Sequence, residues 1–65
     1  MIRLEFIGGT SSKFWEGEVN DVHLTVRFGR IGSQGQVKTK SFATGYDADR
    51  EFKALIAEKK KKGYG

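Results

Sequence analysis

A short glycine-rich stretch between two alternating segments constrains the fold of this chain more than any other feature. Three glycines fall within residues 29–35, a density typical of a tight connection that needs positive φ or close backbone approach. Apolar and polar residues alternate before it, over residues 22–28, and after it, over residues 36–42. Because alternation with a period of two indicates β-strands, the stretch predicts a hairpin that closes at these glycines.

Two more alternating segments precede this hairpin. Residues 2–7 place Ile2, Leu4 and Phe6 on one face and Arg3 and Glu5 on the other, as expected of a half-buried strand. Residues 13–19 form a second predicted strand, with Trp15 and Val19 on one face and Phe14, Glu16 and Glu18 on the other. Asn20 and Asp21 both tolerate positive φ, so they are a candidate two-residue turn between the second and third strands. The first 42 residues therefore predict four sequential antiparallel strands.

The rest of the chain has a helical pattern. Apolar side chains recur at helical spacing over residues 47–62, with Asp47 as the predicted N-cap and Gly63 as the C′ residue. The predicted fold class is α+β: a four-stranded antiparallel sheet with one C-terminal helix packed on one face. The predicted core consists of inward-facing apolar residues from all five elements: Ile2, Leu4, Phe6, Trp15, Val19, Val22, Leu24, Val26, Phe42, Phe52, Leu55 and Ile56.

Length and composition exclude several classes of protein. A chain of 65 residues predicts a single domain over residues 1–65. It contains no cysteine and a single histidine, His23, so we expect no disulfide, no metal site and no cofactor. No apolar run approaches the roughly 18 residues of a membrane span, and Arg3 and Glu5 interrupt the apolar residues at the start, so we expect neither a membrane span nor a signal peptide. We expect a soluble, cytoplasmic and monomeric domain without a membrane partner.

The positive charge is concentrated around the glycine-rich stretch. The net charge is +4, from 12 basic and 8 acidic residues. Residues 27–46 contain no acid and four cations, which are Arg27, Arg30, Lys38 and Lys40. An excess of this kind is expected of a surface that faces a polyanion, although basic residues also occur on small proteins for solubility alone.

No residue pattern in the chain supports catalysis. The glycine-rich stretch is neither GxGxxG nor a P-loop, because no GK[ST] follows and no helix starts after it. His23 has neither a cysteine nor a placed serine and aspartate as partners. We therefore expect a protein that is not an enzyme and has no catalytic residues.

The motif within the hairpin resembles that of a known family. Phe28-Gly29-Arg30, followed by Gly32 and Gly35, resembles the core motif of WGR domains, which are named for Trp-Gly-Arg. The resemblance extends to Lys13-Phe14-Trp15 and to Gly63-Tyr64, and it covers roughly residues 11 to 64. The chain departs from the motif in having Phe28 where the family has tryptophan. Family members also usually continue past the Gly-Tyr pair into a further strand.

The resemblance implies binding to DNA ends or nicks. The resemblance implies that Phe28 packs on the terminal nucleotide and that Arg30 pairs with phosphate. It also implies that Lys13 contacts the DNA backbone and that Tyr64 lies near the 5′ end of the broken strand. Lys38 and Lys40 would extend the patch along the hairpin. In larger proteins of the family the module relays break detection to an ADP-ribosylating domain.

The residue pattern allows two environments for Phe28 and two functions for the surface around it. By alternation Phe28 shares the face of Val26, which favours a buried ring, whereas the resemblance favours an exposed ring that forms one site with Arg30. The alternative for Lys13, Lys38 and Lys40 is that they are simply solvated strand residues. The alternative for Tyr64 is that it is an unconstrained terminal residue. The alternative function is a protein-protein interaction adaptor that uses the same surface.

Overall fold

Four strands form one antiparallel sheet in the order β1-β2-β3-β4. In the computed structural model, which describes residues 1–65, the strands are β1 (Ile2–Gly8), β2 (Ser11–Asn20), β3 (His23–Arg30) and β4 (Gln36–Ser41). Helix α1 (Gly45–Lys61) follows and packs across β2 and β3. The predicted fold class is confirmed.

The turn between β2 and β3 lies one residue later than predicted. Asn20 pairs with His23 across the two strands, so the turn residues are Asp21 and Val22 rather than Asn20 and Asp21. Asp21 has φ 59, a left-handed conformation that a short polar side chain tolerates better than valine does. The register of the hairpin is therefore set by the position of Asp21.

The N-cap of α1 also differs from the prediction. Thr44 is the cap: its backbone is extended, with φ −140 and ψ 160, and its Oγ1 accepts a hydrogen bond of 3.1 Å from the backbone N–H of Asp47. Asp47 lies inside the first turn, where a carboxylate interacts favourably with the helix dipole. Thr44 satisfies one of the free N–H groups at the helix start.

The main core lies between the sheet and α1. Leu4, Trp15 and Leu24 are buried on this face of the sheet, and the ring of Phe52 stacks on Trp15 with centroids 6.3 Å apart. Ile2 is 38% exposed, so its assignment to the core was wrong. It lies at the end of edge strand β1, whereas α1 packs on β2 and β3.

The most deeply buried aromatic ring lies on the opposite face of the sheet. Phe14 is only 1% exposed, although alternation placed it on the polar face and outside the predicted core. The guanidinium groups of Arg3 and Arg27 lie 4.6 and 5.5 Å from its ring centroid. Planar cations and their aliphatic stems therefore cover a ring that no second layer of secondary structure covers.

The same two arginines hold a carboxylate between them. Arg3 Nη1 donates to Glu16 Oε2 at 2.7 Å, and Arg27 Nη2 lies 2.9 Å from Glu16 Oε1. The hydrogen bond from Arg3 is the main cause of a lowered pKa of Glu16, with Arg27 acting in the same direction and burial opposing both. Arg27 is thus committed to an ion pair away from the helix-bearing face.

This network predicts how stability depends on pH. Since the pKa of Glu16 is lower in the folded chain, its contribution is complete above its ordinary value of 4.5 and is lost as pH falls through the folded pKa. Glu16→Gln should lower the melting temperature at pH 7 and make the acid-side decline shallower. Thermal melts of both proteins from pH 7 to pH 3 test this, and parallel curves would contradict it.

Candidate nucleic-acid interface

Close backbone contact at the end of the β3–β4 hairpin positions the motif residues. Gly35 has φ +73, and a Cβ there would lie 2.5 Å from the carbonyl oxygen of Phe28 and 2.9 Å from the ring of Phe14. A Cβ on Gly29 would lie 2.8 Å from Gly35 Cα. The loop folds back onto β3 because both positions lack a side chain. It also closes over the Phe14 ring.

The turn that follows holds the backbone of Arg30. The carbonyl oxygen of Arg30 accepts hydrogen bonds from the N–H of Ser33 at 3.0 Å and from Ser33 Oγ at 2.7 Å. The N–H of Ile31 donates to the carbonyl of Ser12 at 3.0 Å, which continues the β2–β3 pairing past the end of the strand. Arg30 therefore projects from an anchored backbone while its own side chain is exposed.

Phe28 lies on the helix-bearing face, opposite Trp15 of β2. Its ring is half-buried, so it has both the core contacts that alternation predicts and part of the exposure that the resemblance implies. Lys38 Nζ lies 5.7 Å from its centroid. Arg30, two residues later, lies on the same face of β3, so the motif aromatic and the motif arginine share one surface.

Lys13 lies directly opposite Arg30 in the β2–β3 register. Both residues are exposed, and neither forms an ion pair with an acidic group within 4.0 Å. Like charges in direct cross-strand positions are unfavourable for the sheet. Two cations without an acidic partner thus occupy neighbouring cross-strand positions, Arg30 two residues from Phe28 on the same face and Lys13 with its Nζ 5.8 Å from the ring of Phe6.

Tyr64 is held by the end of α1. Gly63 has φ +104, and the N–H groups of Gly63 and Tyr64 donate to the carbonyls of Lys60 and Lys59 at 3.1 and 3.0 Å, which is a Schellman motif. Glu5 and Gly65 then exchange two backbone hydrogen bonds of 2.8 Å. These bonds order Tyr64 although it is the second-last residue.

The aromatic ring of Tyr64 packs against Phe6, with centroids 5.7 Å apart. These two rings, with three lysines, line a shallow concavity of about 280 Å³: Phe6, Lys13, Lys59, Lys62 and Tyr64. The sequence pattern assigned Phe6 to the core and gave no site role to the lysines at the end of α1. Their convergence on Lys13 depends on the angle at which α1 crosses the sheet, which no local pattern specifies.

Lys38 and Lys40 lie on the same face of the sheet as α1, opposite Val26 and Leu24. Lys38 lies beside Phe28, and Lys40 Nζ is 5.2 Å from the ring of Phe42. The structure thus brings together Lys13, Phe28, Arg30 and Lys38, with Tyr64 beyond Lys13 and Lys40 farther along β4. Arg27 of the acid-free stretch does not join them.

Two structural findings concern other kinds of site. No helix is both long and apolar enough to cross a membrane. The side chains of histidine, aspartate and glutamate form no group of three or more that would hold a metal ion.

The chain is similar to regions of longer proteins. It is 41% identical over 54 residues to the uncharacterized protein YfeS of Escherichia coli strain K12, a match that covers 83% of this chain and 22% of that protein. A crystal structure of a protein from Bacteroides fragilis superimposes with a TM-score of 0.92 at 37% identity, covering 95% of this chain and 18% of that one. The chain thus spans about a fifth of the length of both.

A family match covers the whole chain. Residues 1–65 match the WGR domain family, which is associated with nucleic-acid binding in poly(ADP-ribose) polymerases. The match includes the hairpin motif, in which Phe28 replaces the tryptophan, and the Gly63-Tyr64 pair that ends the helix. The chain belongs to the WGR domain family.

Proposed function

We propose that this chain is a non-catalytic module that binds DNA ends or nicks. The surface responsible, called here the basic-aromatic surface, consists of Lys13, Phe28, Arg30, Lys38, Lys40 and Tyr64. The observation that carries the proposal is the uncompensated Lys13–Arg30 pair beside the half-buried ring of Phe28.

The Lys13–Arg30 pair is unfavourable for the free domain. Two cations in cross-strand positions repel each other and weaken the sheet locally, and no acid of the chain neutralises them. A phosphate bound between them would turn that repulsion into two charge-assisted contacts, one with the planar fork of the arginine. The adjacent ring of Phe28 offers an apolar face to a sugar or base.

The family supports the same ligand class. WGR domains are associated with nucleic-acid binding in poly(ADP-ribose) polymerases, and Phe28-Gly29-Arg30 occupies the place of the family motif. Phenylalanine keeps the apolar face of tryptophan but lacks the indole N–H donor. We therefore expect the same kind of contact with a lower affinity than a tryptophan would give.

An NMR titration tests the proposal. The ¹⁵N-labelled chain is titrated with nicked, blunt-ended and single-stranded oligonucleotides of matched sequence at several salt concentrations. We expect shifts that centre on residues 12–14, 28–31 and 64, tighter binding of the nicked or blunt duplex, and a steep loss of affinity with salt. Shifts confined to the helix-end lysines, or an absence of binding, would contradict it.

Phe28→Trp is the most specific variant of this surface. If the ring contacts DNA, the larger indole should tighten binding by several-fold, within the roughly 1–3 kcal/mol that stacking on a base contributes. Phe28→Ala should weaken binding and also destabilise the domain, because the ring is half-buried. A Phe28→Trp protein that melts earlier and binds DNA no better would assign Phe28 to the core alone.

A protein adaptor is the second candidate. It is favoured by the finding that similar regions make up only 22% and 18% of the two longer proteins, in which other segments adjoin this domain. An apolar protein interface would depend little on ionic strength, whereas DNA binding should weaken steeply with it. The salt series in the titration therefore separates DNA binding from an apolar protein interface.

A further inference from the structure

The outer edge of β4 is an open strand edge. The N–H of Phe42 donates to the carbonyl of Val22 at 2.9 Å, so the even-numbered residues of β4 direct their backbone groups toward β3. By the alternation of antiparallel ladders, Val37, Thr39 and Ser41 direct theirs outward. All six residues of β4 are exposed, and the strand contains neither a proline nor a bulge. The edge is therefore a regular template for another strand.

A groove runs along the inner side of this edge. Because α1 packs on β2 and β3, it leaves a space of about 360 Å³ between itself and β4. Leu24, Val26 and Leu55 provide its apolar surface, and Lys38 and Lys40 line its outer rim. Neither lysine forms an ion pair within 4.0 Å, even with Glu51 on the facing side of the groove.

The two lysines of β4 determine which kind of strand can pair with this edge. An antiparallel pair of two copies centred on Thr39 would set Lys38 of each copy opposite Lys40 of the other, which is unfavourable. A strand with acidic residues on the helix-bearing face would instead pair with both lysines. Its other face would lie beside Val37, which is 62% exposed, and would suit β-branched side chains.

We infer that the β4 edge binds an extended segment of a partner protein by strand addition, and that this segment alternates acidic with β-branched residues. Outward backbone groups of Val37, Thr39 and Ser41 supply the hydrogen bonds, and Lys38 and Lys40 supply the charge selectivity. This inference does not rest on DNA binding. Because both lysines belong to the basic-aromatic surface, DNA and the segment compete for them.

The test uses a capped octapeptide that alternates glutamate with valine or threonine. The control peptide has the same composition with its four glutamates in one block. We expect the alternating peptide to bind at least about fivefold more tightly, since only it satisfies the edge hydrogen bonds and both lysines together. Hydrogen exchange should slow at the amides of Val37, Thr39 and Ser41, with no change at Thr25, which the sheet already protects.

Two substitutions separate strand addition from general attraction. Thr39→Pro removes an outward N–H without removing a backbone hydrogen bond to β3, so it should weaken the alternating peptide at least about fivefold. It also removes the 3.3 Å hydrogen bond between the Thr39 and Thr25 hydroxyls, a loss that Thr39→Ala shares. Thr39→Ala keeps the N–H and should bind as the parent does. Should Thr39→Pro fail to fold, Lys38→Glu with Lys40→Glu should bind an alternating peptide in which lysine replaces each glutamate, and should prefer it to the block peptide with the same replacements.

Each outcome bears on the inference. Displacement of the alternating peptide by a short DNA duplex, with its preference over the block peptide intact, supports strand addition at lysines shared with DNA. Equal binding of the two peptides would overturn the inference and assign the lysines to polyanions in general. So would unchanged exchange at Val37, Thr39 and Ser41, whether or not DNA binds.

Discussion

Replacing Phe14 with alanine is expected to remove most of the stability of this domain. The ring is the most deeply buried large side chain, at 1% exposure, and it contacts two guanidinium groups and the hairpin loop at Gly35. Truncating a buried phenylalanine costs about 3–5 kcal/mol. Domains of this size have a total stability of roughly the same magnitude. Phe14→Ala should therefore be largely unfolded at room temperature.

Chemical denaturation followed by circular dichroism measures this loss. Val37→Ala is a suitable control, because Val37 is apolar but 62% exposed, and it should change stability by no more than about 0.5 kcal/mol. Phe14→Leu should fall between the two, since leucine keeps part of the buried volume. Equal midpoints for Phe14→Ala and Val37→Ala would mean that the arginines and the loop do not bury this ring.

The double substitution of Lys13 and Arg30 by alanine is expected to abolish most DNA binding while the fold stays intact. Each residue would lose a charge-assisted contact with phosphate, and two such losses together lower affinity at least about a hundredfold. Stability should be unchanged or slightly higher, because the substitution removes a repulsive cross-strand pair. A loss of binding without a loss of stability distinguishes a binding site from a structural one.

Binding isotherms at several salt concentrations provide the measurement. The slope of log affinity against log salt should fall by about 2, because two phosphate contacts are removed. Arg50→Ala with Lys53→Ala is the matched control, since it removes the same two kinds of charge from α1. If both double variants weaken binding equally, DNA is attracted by net charge and the basic-aromatic surface is not a defined site.

Local patterns in the sequence determined the elements of this fold. The alternations at residues 2–7, 13–19, 22–28 and 36–42 each correspond to a strand, and the helical spacing corresponds to α1. These patterns suffice because backbone geometry repeats every two residues in a strand and every 3.6 in a helix. The two errors at element ends, the turn at Asp21 and the cap at Thr44, concern single residues whose hydrogen bonds decide between neighbouring positions.

Tertiary structure alone decided which side chains are buried together. Alternation assigned Phe14 correctly to the face away from α1, but its burial requires Arg3 and Arg27, from two other strands, and the close approach of Gly35. Arg27 and Arg30 both lie in the acid-free stretch. Only the strand register shows that Arg27 pairs with Glu16 on one face while Arg30 faces Lys13 on the other.

The same distinction applies to the candidate site. The motif residues Phe28 and Arg30 and their partner Lys13 were found from the sequence through a family resemblance. The ordering of Tyr64 depends on the Schellman motif and on the hydrogen bonds between Gly65 and Glu5, which join opposite ends of the chain. Such contacts depend on the packing of α1 against the sheet, and a one-dimensional pattern does not specify how two elements distant in sequence meet in space.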